Sequence, residues 1–564
     1  KQNFQKMFVA RTITRIPHRC SFQKRASQIG IESEKTGLLN REREKISKNS
    51  THYDLVVVGS GPAAQKCAIE SAKMGRRVAV VDKLGMMGGV CVHTGTIPSK
   101  TFREAVLHLT GYRHQGFYGR AYQPWRERIS VPDVLMLVKM VEKAETDVVV
   151  DQMRCEGIEV LTGTARFSLP GEADSFTSGE NSSLRIMVLK TGNDTQEAST
   201  SAYRHLQATT AKTAISASKV LVSCGTRPLR PPHIPFDGIS VFDSDQLLWG
   251  GVRDVPRDLI VIGAGVIGME YASMINIIPG THVTVVDPRE NVLGFADTEV
   301  IQSLMYSMRK NGARFMLNEK LEKVEKLSGT YGGKDRIVAH LKSGKRVVGD
   351  ALLYTMGRQG NTDTLNLESV GVEYDERGLL EVNDYYQTSN ANVYACGDVI
   401  GYPALASTSM EQGRRAAMHM WECSKPNLKD DSNNEKEAVK SVSKGGFLGR
   451  TNESLFPYGI YTIPEISMIG KSEAQLTKEG LPYEIGMADF TELAKGQMLG
   501  GADGFLKLIF HRDTLELLGV HAIGEGATEI IHIGQVVMAM GGGIEYFKTA
   551  VFNYPTLAEA YNVA

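Results

Sequence analysis

The chain has 564 residues, of which 42% are hydrophobic and 23% charged, enough apolar material for two to four packed domains and ordinary for a globular protein. Lysine plus arginine and aspartate plus glutamate balance at 64 each, which leaves no electrostatic footprint for nucleic acid or an anionic membrane. No apolar run reaches the ~18 residues of a membrane span, and seven scattered cysteines without a Cys-x-x-Cys pair exclude a secreted disulfide framework and a zinc site, so a soluble protein of a reducing compartment with no metal is expected.

Residues 1–50 stand apart as presequence and linker. From Met7, the expected start, to Gly30 the chain carries Arg11, Arg15, Arg19, Lys24 and Arg25 with hydroxyl residues between them, and no acid precedes Glu32. That is the pattern of a mitochondrial presequence; a disordered basic tail on a cytoplasmic protein is the alternative. Glu32 to Ser50 reads as a polar linker.

Tyr53 to Lys83 predicts strand, glycine turn, helix and strand. Leu55-Val56-Val57-Val58 runs into Gly59-Ser60-Gly61-Pro62-Ala63-Ala64, and Val78-Ala79-Val80-Val81 ends at Asp82. Gly59 permits the tight turn, Gly61 lets backbone approach a pyrophosphate, and the small Ala64 lets helix pack on strand. Asp82 is placed to accept hydrogen bonds from an adenosine ribose.

Next comes Gly88-Gly89-Val90-Cys91-Val92-His93-Thr94-Gly95-Thr96-Ile97-Pro98-Ser99-Lys100. It resembles the redox-disulfide segment of the flavin disulfide reductases, in which two cysteines five positions apart relay electrons. Thr96 stands where the second would be, and a hydroxyl cannot form or break an S–S bond, so Cys91 alone cannot store an electron pair in an internal disulfide. The pattern Cys-x-x-x-Gly-Thr-Ile-Pro-Ser-Lys is similar to that of the soluble (Si-specific) pyridine nucleotide transhydrogenases, a branch of the same pyridine nucleotide-disulfide oxidoreductase family. Cys67, Cys224 and Cys396 read as buried small hydrophobes.

The fingerprint recurs at Leu259 to Asp287, with Gly263-Ala264-Gly265-Val266-Ile267-Gly268 at its turn. Two complete fingerprints imply two dinucleotides, and the resemblance places FAD on the first and NAD or NADP on the second. Asp287 suits the free 2′-hydroxyl of NAD; against a 2′-phosphate ~5 Å away it would repel by roughly 3 kcal/mol at an effective dielectric of 20, about two orders of magnitude in affinity. Arg289 could supply the opposing charge and a bidentate phosphate contact, so that both nucleotides are admitted, or it is a solvated loop residue.

Further signatures carry the resemblance onward: Lys219 to Pro228 toward the nicotinamide domain, Leu352 to Arg358 with Gly357 at its exit, and Thr388 to Asp398, in which Gly397 and Asp398 match the second FAD signature and Asp398 is placed at the ribityl chain. Phe552-Asn553-Tyr554-Pro555-Thr556-Leu557-Ala558-Glu559 occupies the place of the reductases' His-Pro-Thr-x-x-Glu, with Tyr554 instead of the acid–base histidine. His532 reads as a structural histidine on an apolar helix face. Members of the family run a further helical turn or so past the position of Ala564. By resemblance Lys100 and Glu270 form an ion pair beside the flavin; the plainer reading makes them a structural lysine and an ordinary helix residue.

The expected architecture is α/β: two Rossmann-like dinucleotide-binding domains plus an α+β dimerisation domain. The boundaries are 51–248 for the first part of the FAD domain with an insertion near 170–218, 249–378 for the NAD(P) domain, 379–448 for the rest of the FAD domain with an insertion near 426–446, and 449–564 for dimerisation. The implied activity is hydride exchange between NADPH or NADH and NAD⁺ or NADP⁺ through FAD, in a homodimer or higher homo-oligomer, with Lys100, Glu270, Cys91 and Thr96 at the reacting centre. Alternatives are an NAD(P)H-dependent flavin reductase of quinones or dyes, a dihydrolipoamide dehydrogenase-like protein, or a nucleotide sensor that has lost turnover.

Overall fold

The computed structural model describes residues 52–83, 85–113, 129–168, 184–189, 207–208, 212–331, 334–422, 455–500 and 504–564. The expected presequence and linker, the insertion near 426–446, Cys20 and Cys423 lie outside the described residues.

β1 (His52–Val58) leads through the glycine turn into α1 (Pro62–Lys73) and β2 (Val78–Asp82). The strands pair in parallel, Val56 opposite Ala79, because the crossover helix returns the chain to the same end of the sheet. The short α2 (Gly89–His93), α3 (Thr96–Thr110) and α4 (Val131–Cys155) follow. α4 opens with a capping box in which Ser130 and Asp133 satisfy each other's backbone amides.

On the other side of β1 lies β3 (Lys212–Val222), with Val56 opposite Val220, and Val393–Ala395 pairs in parallel beyond it. The described parts of the stretch expected as an insertion are therefore not surface excursions. Leu184–Leu189 runs antiparallel to β3, and Ile186, Val188, Ile215 and Ala217 are buried between the layers. Leu184–Leu189 is strand-like in sequence, but its pairing partner is set by tertiary structure and not by the Ser-, Thr- and Ala-rich residues around it.

The second fingerprint forms β4 (Asp258–Ile262), α5 (Val266–Asn276) and β5 (His282–Asp287) in a five-stranded parallel sheet of order Arg314–Leu317, β5, β4, Ala351–Tyr354, Val241–Asp243. A two-stranded ribbon, Thr226–Pro228 against Arg358–Gly360, joins the two halves. Residues from Tyr458 on build a five-stranded antiparallel sheet covered by the helix Ala527–Ala539. One hydrophobic cluster runs from Phe102 and Val106 on α3 through Tyr271 and Met274 on α5 to Ile460 and Ile463, so three segments distant in sequence share a core beside the first sheet's mouth. Among the described residues no helix is long and apolar enough to cross a membrane.

Candidate active site

At the end of β1, Gly59 has φ 101°, and a Cβ there would run into the carbonyl of Ser223, just past the neighbouring strand β3. Only glycine turns at that point. Gly61 then caps α1, and a Cβ on it would meet no atom within 4 Å. It borders a cleft of about 410 Å³ whose lining includes Gly59, Asp82, Cys91, Thr96 and Asp398. Ala64 is fully buried behind the turn.

Two carboxylates face the cleft from opposite ends of the chain. Asp82 accepts from the Ser60 hydroxyl and the Lys83 amide (2.7 Å), and burial pushes its carboxyl above the usual range against those bonds. Asp398 follows Gly397, whose φ of 82° and amide bond to Gln412 Oε1 (2.8 Å) set the turn. Burial likewise raises Asp398, opposed by the charge of Arg358 and by a Thr226 hydroxyl at 3.5 Å. Sequence reasoning did not find Thr226, whose Oγ1 in turn accepts from Arg358 Nε at 2.8 Å. Thr164 also lines the cleft, its Oγ1 buried and without a hydrogen-bond partner among the described residues. A glycine cradle open to an extended cleft, two acceptors for hydroxyl groups and an unpaired hydroxyl fit a flavin dinucleotide.

In the Gly88–Lys100 segment Cys91 and Thr96 line the same cleft, and Cys91 is a free thiol. Burial pushes that thiol above its ordinary value, and Asp398 adds to the effect while Lys100 opposes it. Cys91 is therefore a protonated thiol without a disulfide, the reverse of an activated nucleophile. His93 does not assist it: Nδ1 bonds Glu142 on α4 at 2.7 Å, and Nε2 bonds the Met87 carbonyl at 2.9 Å.

Lys100 Nζ donates to both carboxylate oxygens of Glu270 at 2.8 Å, so the pair expected by resemblance is formed between α3 and α5. Glu270 is 4% exposed and Lys100 25%. A third partner was missed: the Tyr461 amide donates to Glu270 Oε1 at 2.9 Å, and its ring centroid lies 4.9 Å from the Lys100 ammonium. No local pattern signals Tyr461, because it meets Glu270 from 191 residues away.

The second cradle repeats the first. Gly263 has φ 109°, and a Cβ there would stand 2.8 Å from Thr355 Oγ1. At Gly268 a Cβ would collide with the Gly263 carbonyl, so the third glycine is a packing requirement of the turn itself. Gly268→Val is expected to raise the KM for both nucleotides by at least about tenfold while flavin content stays at the wild-type level, since overpacking a turn costs roughly 1–3 kcal/mol; absorbance spectra and steady-state kinetics on one preparation check this. Gly357, with φ 105°, turns the chain just beyond the strand Ala351–Tyr354. Asp287 is fully buried and Arg289 forks onto it, Nε to Oδ1 at 2.9 Å and Nη2 to Oδ2 at 2.8 Å. Burial works against the Asp287 charge, yet the guanidinium and two backbone amides hold its carboxyl below the usual range.

Residues 53–413 match the family described as pyridine nucleotide-disulphide oxidoreductase, and residues 456–564 match the dimerisation domain of that family. The chain belongs to the pyridine nucleotide-disulphide oxidoreductases. It is 42% identical over 512 residues to the soluble pyridine nucleotide transhydrogenase of Mycobacterium bovis, covering 91% of this chain and 96% of that protein. To the protein of the same name from Photorhabdus laumondii it is 40% identical over 516 residues, covering 91% and 97%. Among solved structures, LpdA from Mycobacterium tuberculosis superposes with a TM-score of 0.73 at 24% identity, over 90% of this chain and 98% of that one. The HOCl-induced flavoprotein disulfide reductase RclA from Escherichia coli gives 0.69 at 23% identity, over 90% and 98%. At that identity the two structures show the shared fold.

Against that pyridine nucleotide-disulphide oxidoreductase fold, the C-terminal segment has no imidazole to offer. Tyr554 is 68% exposed, and Glu559 Oε2 is buried without a hydrogen-bond partner among the described residues. His532 differs from its expected place: it is exposed on its helix and bonds Gln535 at 2.8 Å, because its side of the helix turns outward while Ile530 and Ile531 face the sheet.

Proposed function

We propose that this chain transfers hydride between NADPH and NAD⁺ through a bound FAD, without a redox disulfide. The observation that carries the reading is that Cys91 lines the first cradle's cleft as a free thiol together with Thr96, which stands at the position of the second sulfur of a disulfide relay. The family's flavin and nicotinamide cradles are both complete, and the relatives at 42% and 40% identity are named soluble pyridine nucleotide transhydrogenases.

Bound FAD would supply two-electron chemistry that no side chain here provides. The chain's own residues do the rest. Asp82 and Asp398 accept ribose and ribityl hydroxyls, and the amides at the start of α1 face the pyrophosphate. Lys100 brings a positive charge to the reacting end, where Glu270 and the Tyr461 ring fix its position. Packing of α3, α5 and the Ile460–Ile463 loop buries Glu270 and leaves the Lys100 side chain 25% exposed.

The C-terminal domain is assigned a homodimer contact. Val536, Met540, Tyr546 and Val551 are exposed apolar residues on it, and residues 456–564 match a dimerisation domain. The basic segment Met7–Gly30 is assigned to mitochondrial import, tested by the location of a fluorescent fusion carrying residues 1–50.

The activity is tested by mixing the flavin-loaded protein with NADPH and thionicotinamide-NAD⁺ without oxygen. Formation of reduced thionicotinamide-NAD supports the reading. Flavin reduction by NADPH with no transfer onward, and rapid turnover with quinones, would replace it with a quinone or dye reductase.

A further inference from the structure

The donors around Asp287 can be counted. Oδ1 accepts from the Arg289 amide (2.8 Å) and Arg289 Nε (2.9 Å), and Oδ2 accepts from the Ala264 amide (2.6 Å) and Arg289 Nη2 (2.8 Å). A carboxylate has about four good acceptor positions. All four are taken, and the side chain has no exposed surface. The Arg289 side chain, by contrast, is 54% exposed, and its Nη2 lies 3.9 Å from where a Cβ of Gly265 would sit, over the glycine turn that a pyrophosphate must approach. A ribose diol therefore cannot reach this carboxylate while the guanidinium is seated.

We propose that the Arg289 side chain is a displaceable lid on Asp287, which must lift for either nucleotide and re-pairs with the 2′-phosphate of NADP but with nothing on NAD. This rests on the reading that one cradle serves both nucleotides.

The local structure lets the side chain leave at small cost. The Ala264 and Arg289 amides stay on Asp287 wherever the guanidinium points, so the carboxylate is never stranded, and the released guanidinium enters solvent it already half occupies. When NAD binds, its two ribose hydroxyls fill the two positions that the fork vacates. When NADP binds, the 2′-phosphate would meet a bare carboxylate, but the guanidinium turns between the two anions and keeps a bidentate partner. Arginine is charged at every physiological pH, so the device works by geometry and not by titration. Asp287 and Arg289 thus act in opposite directions on the two substrates: the acid favours NAD and its lid handicaps it, while the lid favours NADP.

The test is equilibrium binding of NAD⁺ and of NADP⁺ to the oxidised, flavin-loaded enzyme by calorimetry, which needs no turnover. Arg289→Ala is expected to weaken NADP⁺ by roughly ten- to a hundredfold and to tighten NAD⁺ by about threefold or more. It should also flatten the ionic-strength dependence of NADP⁺ binding. Asp287→Asn, which removes the charge holding the fork, is expected to weaken NAD⁺ and tighten NADP⁺, and so provides the same reading from the other partner should the first variant not fold. NAD⁺ weakened by Arg289→Ala, or NADP⁺ left unchanged by it, would overturn the lid. A wild-type enzyme that binds only one of the two nucleotides would overturn the shared cradle on which it rests, and that failure is visible before any variant is made.

Discussion

Replacing Lys100 with methionine is expected to slow hydride transfer between nucleotides by roughly 10²–10³-fold while bound flavin is retained, the loss associated with removing one preorganised charge from a reacting centre. Methionine keeps the length and packing of the side chain and removes only the ammonium. Glu270, 4% exposed, is then left with the Tyr461 amide alone, at 2.9 Å, as its hydrogen-bond donor. An ionised carboxylate buried without its counter-charge is destabilising by about 3–5 kcal/mol, so the site loses both its positive charge and its geometry. Glu270→Gln should give a smaller loss, because Gln can still accept from the Tyr461 amide and Lys100 can reach solvent. The double variant should fall close to Lys100→Met alone, since the two side chains act as one unit. Single-turnover traces of flavin reduction and reoxidation measure this; a Lys100→Met rate within threefold of wild type would remove the pair from the reacting centre.

Lys507→Met is expected to lower the first melting transition by roughly 5–15 °C, as befits the loss of a buried counter-charge worth about 3–5 kcal/mol. The side chain is 1% exposed, on the strand Phe505–His511, and its ammonium donates to Asp297 (3.1 and 3.2 Å), Glu299 (2.7 Å) and Glu473. Asp297 also caps the helix Thr298–Lys310 of the nicotinamide region through the Glu299 amide at 3.1 Å, while Glu473 belongs to the C-terminal region. Burial alone would lower the lysine's affinity for its proton; the three carboxylates outweigh it and raise it. Without the ammonium, three acids from two regions face one another, so the contact between regions is expected to open first. Restoring neutrality with Glu473→Gln should recover part of the loss, which a merely steric role would not.

His521 lies opposite Lys507 on the adjacent strand and gives this locality a pH dependence. It is buried, its Nε2–H donates to the Lys471 carbonyl at 3.1 Å, and its Nδ1 has no hydrogen-bond partner among the described residues. Burial holds its pKa below the ordinary 6.5. The unfolded chain therefore binds a proton before the folded one does, and stability falls as pH drops from about 6.5 through the lowered folded value, by up to about 1.4 kcal/mol per pH unit. His521→Gln should flatten that part of the profile and leave stability above pH 7 nearly unchanged.

Much of the scaffold was legible because its signals are local. A glycine turn, a crossover helix and an acid at the end of the second strand are specified within about thirty residues, and both fingerprints fold as their spacing implies. Cys91 and Thr96 share one short segment, so the missing sulfur could be read directly. What escaped is long-range. Tyr461 reaches Glu270, and Thr226 and Arg358 reach Asp398, only because three regions converge, and no residue spacing encodes that. Arg289 was recognised as an available charge, but nothing in the sequence shows that its side chain closes over Asp287. Lys507 is a single lysine in a largely apolar strand, and its role is visible only once its three acids are in place. The run Leu184–Leu189 reads as strand-like inside the expected insertion; what the sequence does not show is that it pairs with β3 and is buried there.

The central claim is that hydride passes between two nucleotides without a disulfide, and Cys91→Ser tests it most directly. The variant keeps a small polar side chain in the cleft and removes the segment's only sulfur. Transfer from NADPH to thionicotinamide-NAD⁺ without oxygen should proceed within about twofold of wild type, since no lost interaction there exceeds one hydrogen bond of ordinary strength. A loss of more than about a hundredfold with flavin still bound, which corresponds to roughly 2.7 kcal/mol, would mean that the thiol takes part in the chemistry and would contradict the account.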